Sequence, residues 1–587
     1  MAQWYVMNKR ADFAQIAQTY GISQILARLI RNRDCESAEE IRKYLHGSLE
    51  DLYDPMLLLD MDRAVEGLNA ALREQKKIRI IGDYDADGIC SSYILLRGIQ
   101  SLGGEVDVDI PHRITDGYGL NERLIRQAGE DGVELIITCD NGIAASAEVD
   151  LASSLGMQVI VTDHHEVPII EEDGERKERL PKVVAVVDPK RAGDPYPFDG
   201  ICGAVVAWKF MQAAGIPQAL LEELIEEAGF ATICDVMELK DENRILVKEA
   251  LRRLAHTQNL GMKALMEVSG IRGEELGSYH IGFVLGPSLN ATGRLETAKI
   301  AIELLTCTDR MRAVQLATEL KNLNDSRKTM TEYGVNVAKA QLEGAPIPKV
   351  LVLLLEDVHE SIAGIIAGRI KEAYHHPTIV LTRCEGGLLK GSARSIEGYD
   401  MFAEMSACKD LYTKFGGHKM AAGVTLPEEN LENLRNFLNA HCTLEDADFT
   451  ETVHVDMALP FAFAGRDLID ELSLLEPFGN GNTKPVFAAK DLEVCSHRIF
   501  GKNSNVMKLK VKDAEHRPAE LIYFGDVQKL EQELTAAEQE LTAAEQGGAM
   551  QGGVRMTVAY YPSLNEYRGV VEIQYVMSHY RLEEIRG

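Results

Sequence analysis

Residues 78–92, IRIIGDYDADGICSS, place three aspartates directly after an apolar run. The isoleucines indicate the end of a buried strand, and a run with helical character opens at Gly88. Asp83, Asp85 and Asp87 follow at every second position, so we expect the strand to gather three carboxylates at its C-terminal end. Like charges that close repel one another unless divalent cations lie between them. Because aspartate and glycine are also common in turns, an acidic turn is the alternative.

Residues 78–190 alternate between strand-like apolar runs and helical runs, which predicts an α/β fold with a parallel, doubly wound sheet. In such sheets, ligands bind beyond the carboxyl ends of the strands. Turns exposed to solvent would not place so many metal-type ligands on one edge, so the pattern favours a metal site. The charged residues that follow the predicted strands are Asp83, Asp85, Asp87, His112, Arg113, Asp140, Asp163, His164, His165, Asp188 and Lys190.

Asp235 lies in the otherwise apolar helical stretch ATICDVMEL. A buried carboxylate needs a partner, so this residue is either a capped core residue or a further metal ligand. The accumulation of metal-type ligands at the predicted sheet edge favours the second interpretation.

The composition limits the classes of function. The chain has 587 residues, enough for about four domains. Its formal net charge of −29 argues against a protein that coats nucleic acid by bulk electrostatics, but a short basic groove remains compatible with it. The ten cysteines include no Cys-x-x-Cys pair, and the start MAQWYVMNKR lacks the apolar core of a signal peptide. We therefore expect a cytoplasmic protein with reduced thiols.

Changes of pattern along the chain predict five regions. Residues 1–60 form an N-terminal helical cap, 61–300 the doubly wound domain, 301–345 a long helical connector, 346–450 a smaller α/β domain and 451–587 a strand-rich domain. Ser392, Arg394 and His418 lie in small-residue loops of the fourth region, where amides and a cation could hold a phosphate.

The last region predicts a small OB-like β-barrel of five or six short strands. Its aromatics Tyr523, Phe524, Tyr560 and Tyr561 either stack nucleobases or fill the barrel core. Residues 531–546, EQELTAAEQELTAAEQ, repeat a seven-residue unit with apolar positions on one helical face. Two heptads are too few for a stable coiled coil, so the flanking glycine pairs favour an inserted hairpin or flexible arm without a catalytic role.

A set of motifs resembles the RecJ family of the DHH phosphoesterase superfamily, in order from about residue 78 to residue 487. The motifs are DYDADG, CDNG, DHH, Asp235 in its helix, GPSLNATGR, GSARS, GGHKMAAG and LLEPFGNGN. The resemblance implies that 61–300 is a DHH domain, 346–450 a DHH-associated domain and 451–587 a nucleic-acid-binding domain. It also implies a 5′→3′ exonuclease that releases mononucleotides from single-stranded DNA in repair and recombination.

The resemblance carries roles onto individual residues. As metal ligands it implies Asp85, Asp87, Asp140, His164 and Asp235. For the catalytic group it implies His165 near the scissile phosphate, with Asp83 and Asp163 in supporting places. As phosphate or DNA-end contacts it implies Arg113, Arg294, Ser392 and Arg394, with His418 on the nucleotide side. The family often has a histidine where this chain has Ile81, so one metal has fewer ligands or recruits Asp83.

Carboxylates and imidazoles suit Mn²⁺ or Mg²⁺, and two ions about 3.5–4 Å apart would clamp a phosphate and activate water. The expected partner is single-stranded DNA, with a helicase or a single-strand-binding protein as further candidates. We expect a monomer that does not bind membranes. Two alternatives remain: a DHH-family phosphodiesterase for short oligoribonucleotides or cyclic dinucleotides, and a non-catalytic replication scaffold.

Overall fold

The computed structural model describes residues 2–113, 115–172, 175–501, 503–546, 553–567 and 569–583. The chain divides into two compact units. One unit is Ser48–Thr450, and the other joins Met1–Gly47 to Glu451–Gly587. The N-terminal segment therefore shares a unit with the C-terminal region.

The first segment contains one strand and three helices. They are β1 (Gln3–Val6), α1 (Phe13–Tyr20), α2 (Gln24–Asn32) and α3 (Ala38–His46). The helices agree with the sequence pattern, but β1 was not expected. It pairs in parallel with residues 452–455, so its partner lies too far along the chain for a local pattern to indicate it.

The next segment forms the doubly wound sheet. Its elements are α4 (Met61–Arg73), β2 (Ile78–Gly82), α5 (Ala86–Ser101), β3 (Val106–Asp109), α6 (Glu122–Glu130), β4 (Leu135–Cys139), α7 (Ser146–Ser154), β5 (Gln158–Thr162), β6 (Ile169–Glu172), β7 (Glu175–Glu178) and β8 (Ala185–Val187). Five strands pair in parallel in the order β3-β2-β4-β5-β8, which confirms the predicted topology. Helices α4 and α5 cover one face, and α6 and α7 cover the other. The hairpin β6–β7 is separate.

Helices dominate the following segment, as the sequence predicted. They are α8 (Gly203–Ala213), α9 (Gln218–Glu223), α10 (Ile225–Cys234), α11 (Asp241–Leu254), α12 (Leu260–Val268), α13 (Ser278–His280), α14 (Gly286–Leu295), α15 (Lys299–Thr306) and α16 (Arg310–Leu342). A π-helical segment, Ile281–Leu285, joins α13 to α14. Helix α16 is the long connector.

A second, smaller α/β domain completes this unit. Its elements are β9 (Leu351–Leu354), α17 (Ala363–Tyr374), β10 (Thr378–Cys384), β11 (Leu388–Arg394), α18 (Met401–Ser406), β12 (Lys414–His418), β13 (Ala421–Pro427) and α19 (Leu431–His441). The sheet order is β12-β13-β11-β10-β9. Ser392, Arg394 and His418 lie on strands β11 and β12, so the prediction that they occupy loops was wrong. A side chain at Gly391 would collide with the Val380 carbonyl, so this small residue reflects close strand pairing.

The C-terminal region forms a closed five-stranded barrel. Its elements are β14 (Thr452–Val455), β15 (Met457–Ala458), α20 (Arg466–Leu472), β16 (Phe487–Phe500), β17 (Val506–Lys512), β18 (Pro518–Tyr523), α21 (Val527–Gln546), β19 (Arg555–Tyr567) and β20 (Val570–Leu582). The order β16-β17-β18-β20-β19 closes through β16–β19 pairing, which confirms the OB-like barrel. Tyr523 and Tyr560 fill the barrel core, Phe524 is exposed, and the Lys484 ammonium lies 3.9 Å from the Tyr561 ring centroid.

The heptad repeat lies within the single helix α21, so the predicted hairpin or flexible arm was wrong for residues 531–546. Leu530 and Leu534 are fully buried and belong to the barrel core. Burial of these side chains, rather than a partner helix, stabilises the segment. The flanking glycines 547, 548 and 552 lie outside the described residues.

A buried ion pair ties the N-terminal segment to the barrel region. Arg33 Nη1 donates to Asp456 Oδ1 at 2.5 Å, and Asn32 Nδ2 donates to the same oxygen at 3.0 Å. The Arg33 and Asp456 side chains are only 5% and 6% exposed. This pair explains in part why residues 1–47 share a unit with the barrel.

Asp456→Ala is expected to lower the unfolding free energy of this unit by about 3–5 kcal/mol, because it leaves Arg33 buried without its carboxylate. Trp4 lies in this unit and Trp208 in the other, so urea unfolding followed by Trp4 fluorescence in a Trp208→Phe background isolates the relevant transition. Asp470→Ala is the control, since the Asp470 side chain is 61% exposed in its ion pair with Arg466 on α20 and should contribute at most about 1 kcal/mol. Equal effects of the two substitutions would contradict the argument.

Candidate metal centre and adjacent cleft

The turn between β2 and α5 positions the three aspartates. Asp83 directly follows the strand, whereas Asp85 caps α5 and Asp87 lies in its first turn. The Asp85 carboxylate accepts hydrogen bonds from the backbone N–H groups of Asp87 and Gly88 at 3.0 and 3.1 Å. The three aspartates therefore lie at the C-terminal end of β2, as expected, but α5 begins at Ala86 rather than at Gly88. An aspartate N-cap before a helical run was the overlooked signal.

The N-terminus of α8 holds Asp87. Its two carboxylate oxygens accept hydrogen bonds from the backbone N–H groups of Gly203 and Ala204, each at 2.8 Å. A Cβ on Gly203 would lie 2.8 Å from Asp140 Cβ, so glycine permits the close approach of α8 to the site. The helix N-terminus thus orients Asp87 toward the other acidic residues.

Asp140 follows β4 with a φ of 59°, a left-handed conformation that aspartate tolerates better than most residues. Its Oδ1 lies 3.1 Å from His164 Nε2. The same nitrogen lies 3.5 Å from Asp87 Oδ2 and 3.8 Å from Asp235 Oδ2. Asp235 caps the C-terminal end of α10. Three carboxylates, from the end of β4, from α5 and from the end of α10, therefore converge on one imidazole.

Asp163 organises the turn after β5. Its carboxylate accepts hydrogen bonds from the backbone N–H groups of Ile143 and His164 at 2.9 and 2.8 Å. Its Oδ1 also lies 2.7 Å from His165 Nδ1. Asp163 thereby holds the His164 backbone and the His165 ring in place.

Among the described residues, three groups have ligand atoms within 4.8 Å of one another. The groups are Asp83, Asp85 and Asp140; Asp87, His164 and Asp235; and Asp140, His164 and His165. The structure thus brings together all five residues that the family resemblance implied as ligands. Ile81, in place of the frequent family histidine, is buried in the apolar cluster beneath α6 and α7.

The electrostatics of this cluster fit bound cations. Burial, together with the charge of Asp85, raises the pKa of Asp83 well above its ordinary value, and Asp83 Oδ1 is buried without a hydrogen-bond partner. Burial and the charges of Asp87 and Asp85 likewise raise the pKa of Asp235 to about 8. Burial lowers the pKa of His164, which favours the neutral ring that a metal requires. Divalent cations would compensate the carboxylates and use the unpaired oxygen.

His165 differs from His164. Burial disfavours its charged form, but the hydrogen bond and charge of Asp163 outweigh burial and raise the pKa of His165 to about 9. The Tyr118 hydroxyl lies 3.3 Å from this ring and donates a hydrogen bond to the Asp140 carbonyl at 2.9 Å. Sequence reasoning missed Tyr118, because a single tyrosine between glycines gives no periodic signal.

Asn290 is a second residue whose role sequence reasoning missed, although its motif GPSLNATGR was noticed. Its Oδ1 accepts a hydrogen bond at 2.7 Å from the backbone N–H of Ala86, the first residue of α5. On the same helix, a side chain at Gly293 would collide with the Tyr84 carbonyl. Helix α14 therefore supports the aspartate-bearing turn directly.

A cleft of about 740 Å³ lies beside the aspartates, lined by both domains of this unit. The Arg113 guanidinium lies 4.9 Å from the centroid of the Tyr84 ring, and Arg294 Nη1 donates to the Ser361 carbonyl at 2.7 Å. From β11, Arg394 Nη1 donates to Ser392 Oγ at 2.8 Å. These four predicted phosphate contacts, Arg113, Arg294, Ser392 and Arg394, all line the cleft. His418 is exposed at the end of β12 and is not among the lining residues.

Like charges in the cleft favour an anionic ligand. Burial, followed by the charges of Arg113 and Arg327, lowers the pKa of Arg294 to about 10. Burial and Arg113 also lower the pKa of Arg394. A phosphate would relieve this repulsion and accept hydrogen bonds from the guanidinium groups. Carboxylates and imidazoles for divalent metals, next to arginines for phosphate, define a metal-dependent phosphoesterase.

Comparisons with known proteins agree with this class. Residues 77–250 match the DHH family, N-terminal domain, residues 348–443 the DHHA1 domain and residues 455–579 the RecJ OB domain. The chain is 36% identical over 516 residues to the single-stranded-DNA-specific exonuclease RecJ of Bacillus subtilis, covering 87% of this chain and 64% of that protein. It is also 36% identical over 452 residues to RecJ of Dickeya dadantii, covering 73% of this chain and 76% of that protein.

A solved structure is similar over almost the whole chain. The crystal structure of RecJ from Thermus thermophilus in complex with Mn²⁺ has a TM-score of 0.80 at 27% identity, covering 99% of this chain and 80% of that one. The Mg²⁺ complex of the same protein has a TM-score of 0.76 at 26% identity, covering 99% and 79%. The chain therefore belongs to the RecJ family of single-stranded-DNA-specific exonucleases.

Proposed function

We propose that this chain hydrolyses single-stranded DNA in the 5′→3′ direction and releases 5′-mononucleotides with the help of two Mn²⁺ or Mg²⁺ ions. The observation that carries the proposal is the juxtaposition, within one compact unit, of the acidic cluster and the arginine-lined cleft. The cluster can hold cations, and the cleft can hold a phosphate beside them.

The proposed metal ligands are Asp85, Asp87, Asp140, His164 and Asp235. Bound there, divalent ions would polarise the phosphoryl oxygens and make water more acidic. The Asp87 carboxylate is oriented by α8, and Asp83 offers an unpaired oxygen to the same cluster. These residues prepare a binding site whose charges are already in place, so little rearrangement accompanies the reaction.

His165 has a different proposed role. Asp163 holds its Nδ1 and keeps the ring protonated near neutral pH. A cationic ring at the edge of the cluster would attract the scissile phosphate and stabilise negative charge that develops on it. Asp163 acts through His165 and is therefore a positioning residue.

The cleft accounts for action at a strand end. Arg113, Arg294, Ser392 and Arg394 would hold the terminal 5′ phosphate, with Arg294 also tied to the Ser361 carbonyl of the second domain. A site that recognises a terminal phosphate positions the next phosphodiester over the metal centre. The role of His418 on the nucleotide side stays a prediction.

The cellular context is part of the proposal. No helix in the described ranges is both long and apolar enough to cross a membrane. We infer that the protein acts in the cytoplasm, in DNA repair and recombination, as a monomer. A helicase or a single-strand-binding protein that supplies the strand is the further partner we expect.

The test compares four substrates: a 5′-labelled strand, a 3′-labelled strand, a duplex and a dinucleotide, each with Mn²⁺ or with a chelator. We expect early release of labelled mononucleotide from the 5′-labelled strand alone, and only with metal. Chelation removes the compensating charge and the activated water, so the rate should fall to background. Product is measured by gel electrophoresis and chromatography.

Two other outcomes would overturn the proposal. Faster hydrolysis of the dinucleotide than of the strands would favour a phosphodiesterase for short oligonucleotides. Absence of hydrolysis for every substrate, in a preparation that still binds Mn²⁺, would favour the non-catalytic scaffold.

A further inference from the structure

Two aromatic side chains stack on each other at the surface of the larger unit. Tyr279 and Phe283 are 66% and 67% exposed, and their ring centroids are 5.1 Å apart with an interplanar angle of 26°. The intervening Ile281 and the following Leu285 are fully buried. The backbone is therefore anchored while both large rings face solvent, an arrangement that marks a binding surface.

The segment that carries these rings packs against the end of α10. A Cβ on Gly282 would lie 3.5 Å from Ile233 Cγ2, and one on Gly286 would collide with Cys234 Sγ. The residue after Cys234 is the proposed metal ligand Asp235. The segment that carries the aromatic pair therefore packs against the helix end that Asp235 follows.

Val236, which directly follows Asp235, is a further indication that this surface has a function. It is 65% exposed and has a φ of 57°, a conformation that β-branched residues rarely adopt. Such backbone strain is concentrated at binding and catalytic sites. The exposed apolar side chain of Val236 thus directly follows Asp235, the proposed ligand that faces His164.

The succession of residues from the cleft through the metal centre to Asp235 indicates where the aromatic pair lies relative to the substrate. Asp83 and Asp85 flank Tyr84, which stacks with Arg113 of the cleft. Asp140 belongs to the same group as these aspartates and also contacts His164, and His164 in turn reaches Asp235. A strand whose 5′ phosphate occupies the cleft would therefore pass the metal centre and continue past Asp235.

We propose that Tyr279 and Phe283 form a stacking platform for nucleobases of single-stranded DNA on the 3′ side of the scissile phosphate. The platform rests on the proposed function, because its place on the substrate follows from a 5′ phosphate in the cleft. Every base has a π-face, so the platform binds without sequence preference, as an exonuclease requires. Duplex DNA, whose bases stack on one another, cannot use it.

The test uses Tyr279→Leu/Phe283→Leu, which keeps apolar bulk but removes the π-faces. Two 5′-phosphorylated strands are compared: one with all its bases, and one with abasic sites at the second to fourth nucleotides. For the intact strand we expect the KM to rise about fivefold or more, with kcat unchanged at saturation. For the abasic strand we expect less than about a twofold change, because there is no base to stack.

The control is Tyr333→Leu, which removes an aromatic ring that is 52% exposed on the connector helix α16. It should leave both KM values unchanged. A second measurement places 2-aminopurine at the same nucleotides and follows its fluorescence in an Asp140→Asn background, which does not cut the strand. Stacking on the platform quenches the fluorescence, and the double substitution should restore it.

An unchanged KM for the intact strand, or equal changes for the intact and abasic strands, would overturn the platform. If the unaltered chain hydrolyses neither strand, the proposed function is wrong. The 2-aminopurine signal still decides the platform in that case: quenching that depends on both rings supports base stacking, and its absence overturns it.

Discussion

Asp140→Asn is expected to lower the rate of single-strand hydrolysis by at least about a thousandfold, or about 4 kcal/mol of transition-state stabilisation, while the fold remains intact. Asp140 belongs to two of the three ligand groups, so the loss of its charge weakens binding across the cluster. Asparagine has nearly the same shape, still accepts a hydrogen bond and tolerates the left-handed backbone at this position. The expected defect is therefore chemical rather than structural.

The same substitution should leave the thermal stability of the metal-free protein unchanged or higher. Burial, reinforced by the charges of Asp87, Asp85, Asp83 and Asp235, raises the pKa of Asp140 well above its ordinary value. A neutral amide removes this repulsion, so the Tm in a chelator should not fall. Mn²⁺ should then raise the Tm of the variant less than that of the unaltered chain, because fewer ligands bind it.

The control for this prediction is Asp150→Asn, which changes an exposed aspartate on α7. It should alter neither activity nor the stabilisation by Mn²⁺. Activity of Asp140→Asn within about tenfold of the unaltered chain would refute the central role of this carboxylate. A clear fall of the Tm in chelator would instead show that the charge supports the fold.

Much of the larger unit could be predicted from sequence because its signals are local. Apolar runs alternate with helices from β2 to β8, and this alternation requires parallel strands whose carboxyl ends share one edge. That geometry alone places Asp83, Asp140 and Asp163 near one another. The start of α5 was predicted less accurately, because an aspartate N-cap and a strand end look alike in sequence.

The contacts that escaped prediction join residues distant in sequence. The hydrogen bond from Ala86 to Asn290 and the one from Arg294 to the Ser361 carbonyl depend on where α14 packs, which no periodicity reveals. The pairing of β1 with β14 is of the same kind. For the heptad helix α21, the repeat was visible, but only the structure shows that Leu534 packs into the barrel.

Gly88→Ala is expected to destabilise the larger unit by about 3 kcal/mol or more and to weaken metal binding. In an ordinary helix this change would be stabilising by about 0.5–1 kcal/mol, because alanine has the higher helix propensity. Here a Cβ would lie 2.5 Å from the backbone nitrogen of Asp83 and would collide with the Asp83 carbonyl oxygen. Both obstacles are backbone atoms, so a rotamer change cannot relieve the overlap.

The first turn of α5 also cannot move away from the Asp83 backbone to make room for a methyl group at residue 88. Its N-terminus is held by the Asp85 cap and by the hydrogen bond from Ala86 to Asn290. Any shift that accommodates a methyl group must displace Asp83 or Asp87, and therefore the metal centre. The measurements are thermal unfolding in chelator and titration with Mn²⁺.

Gly277→Ala provides the matched control, because a Cβ there would meet no atom within 4 Å and the backbone does not require glycine. It should leave stability and Mn²⁺ affinity unchanged. A Gly88→Ala protein with a Tm within about 2 °C of the unaltered chain would contradict the steric argument. Lost Mn²⁺ affinity at an unchanged Tm would mean that the turn yields without unfolding, so that Gly88 shapes the metal site rather than the core.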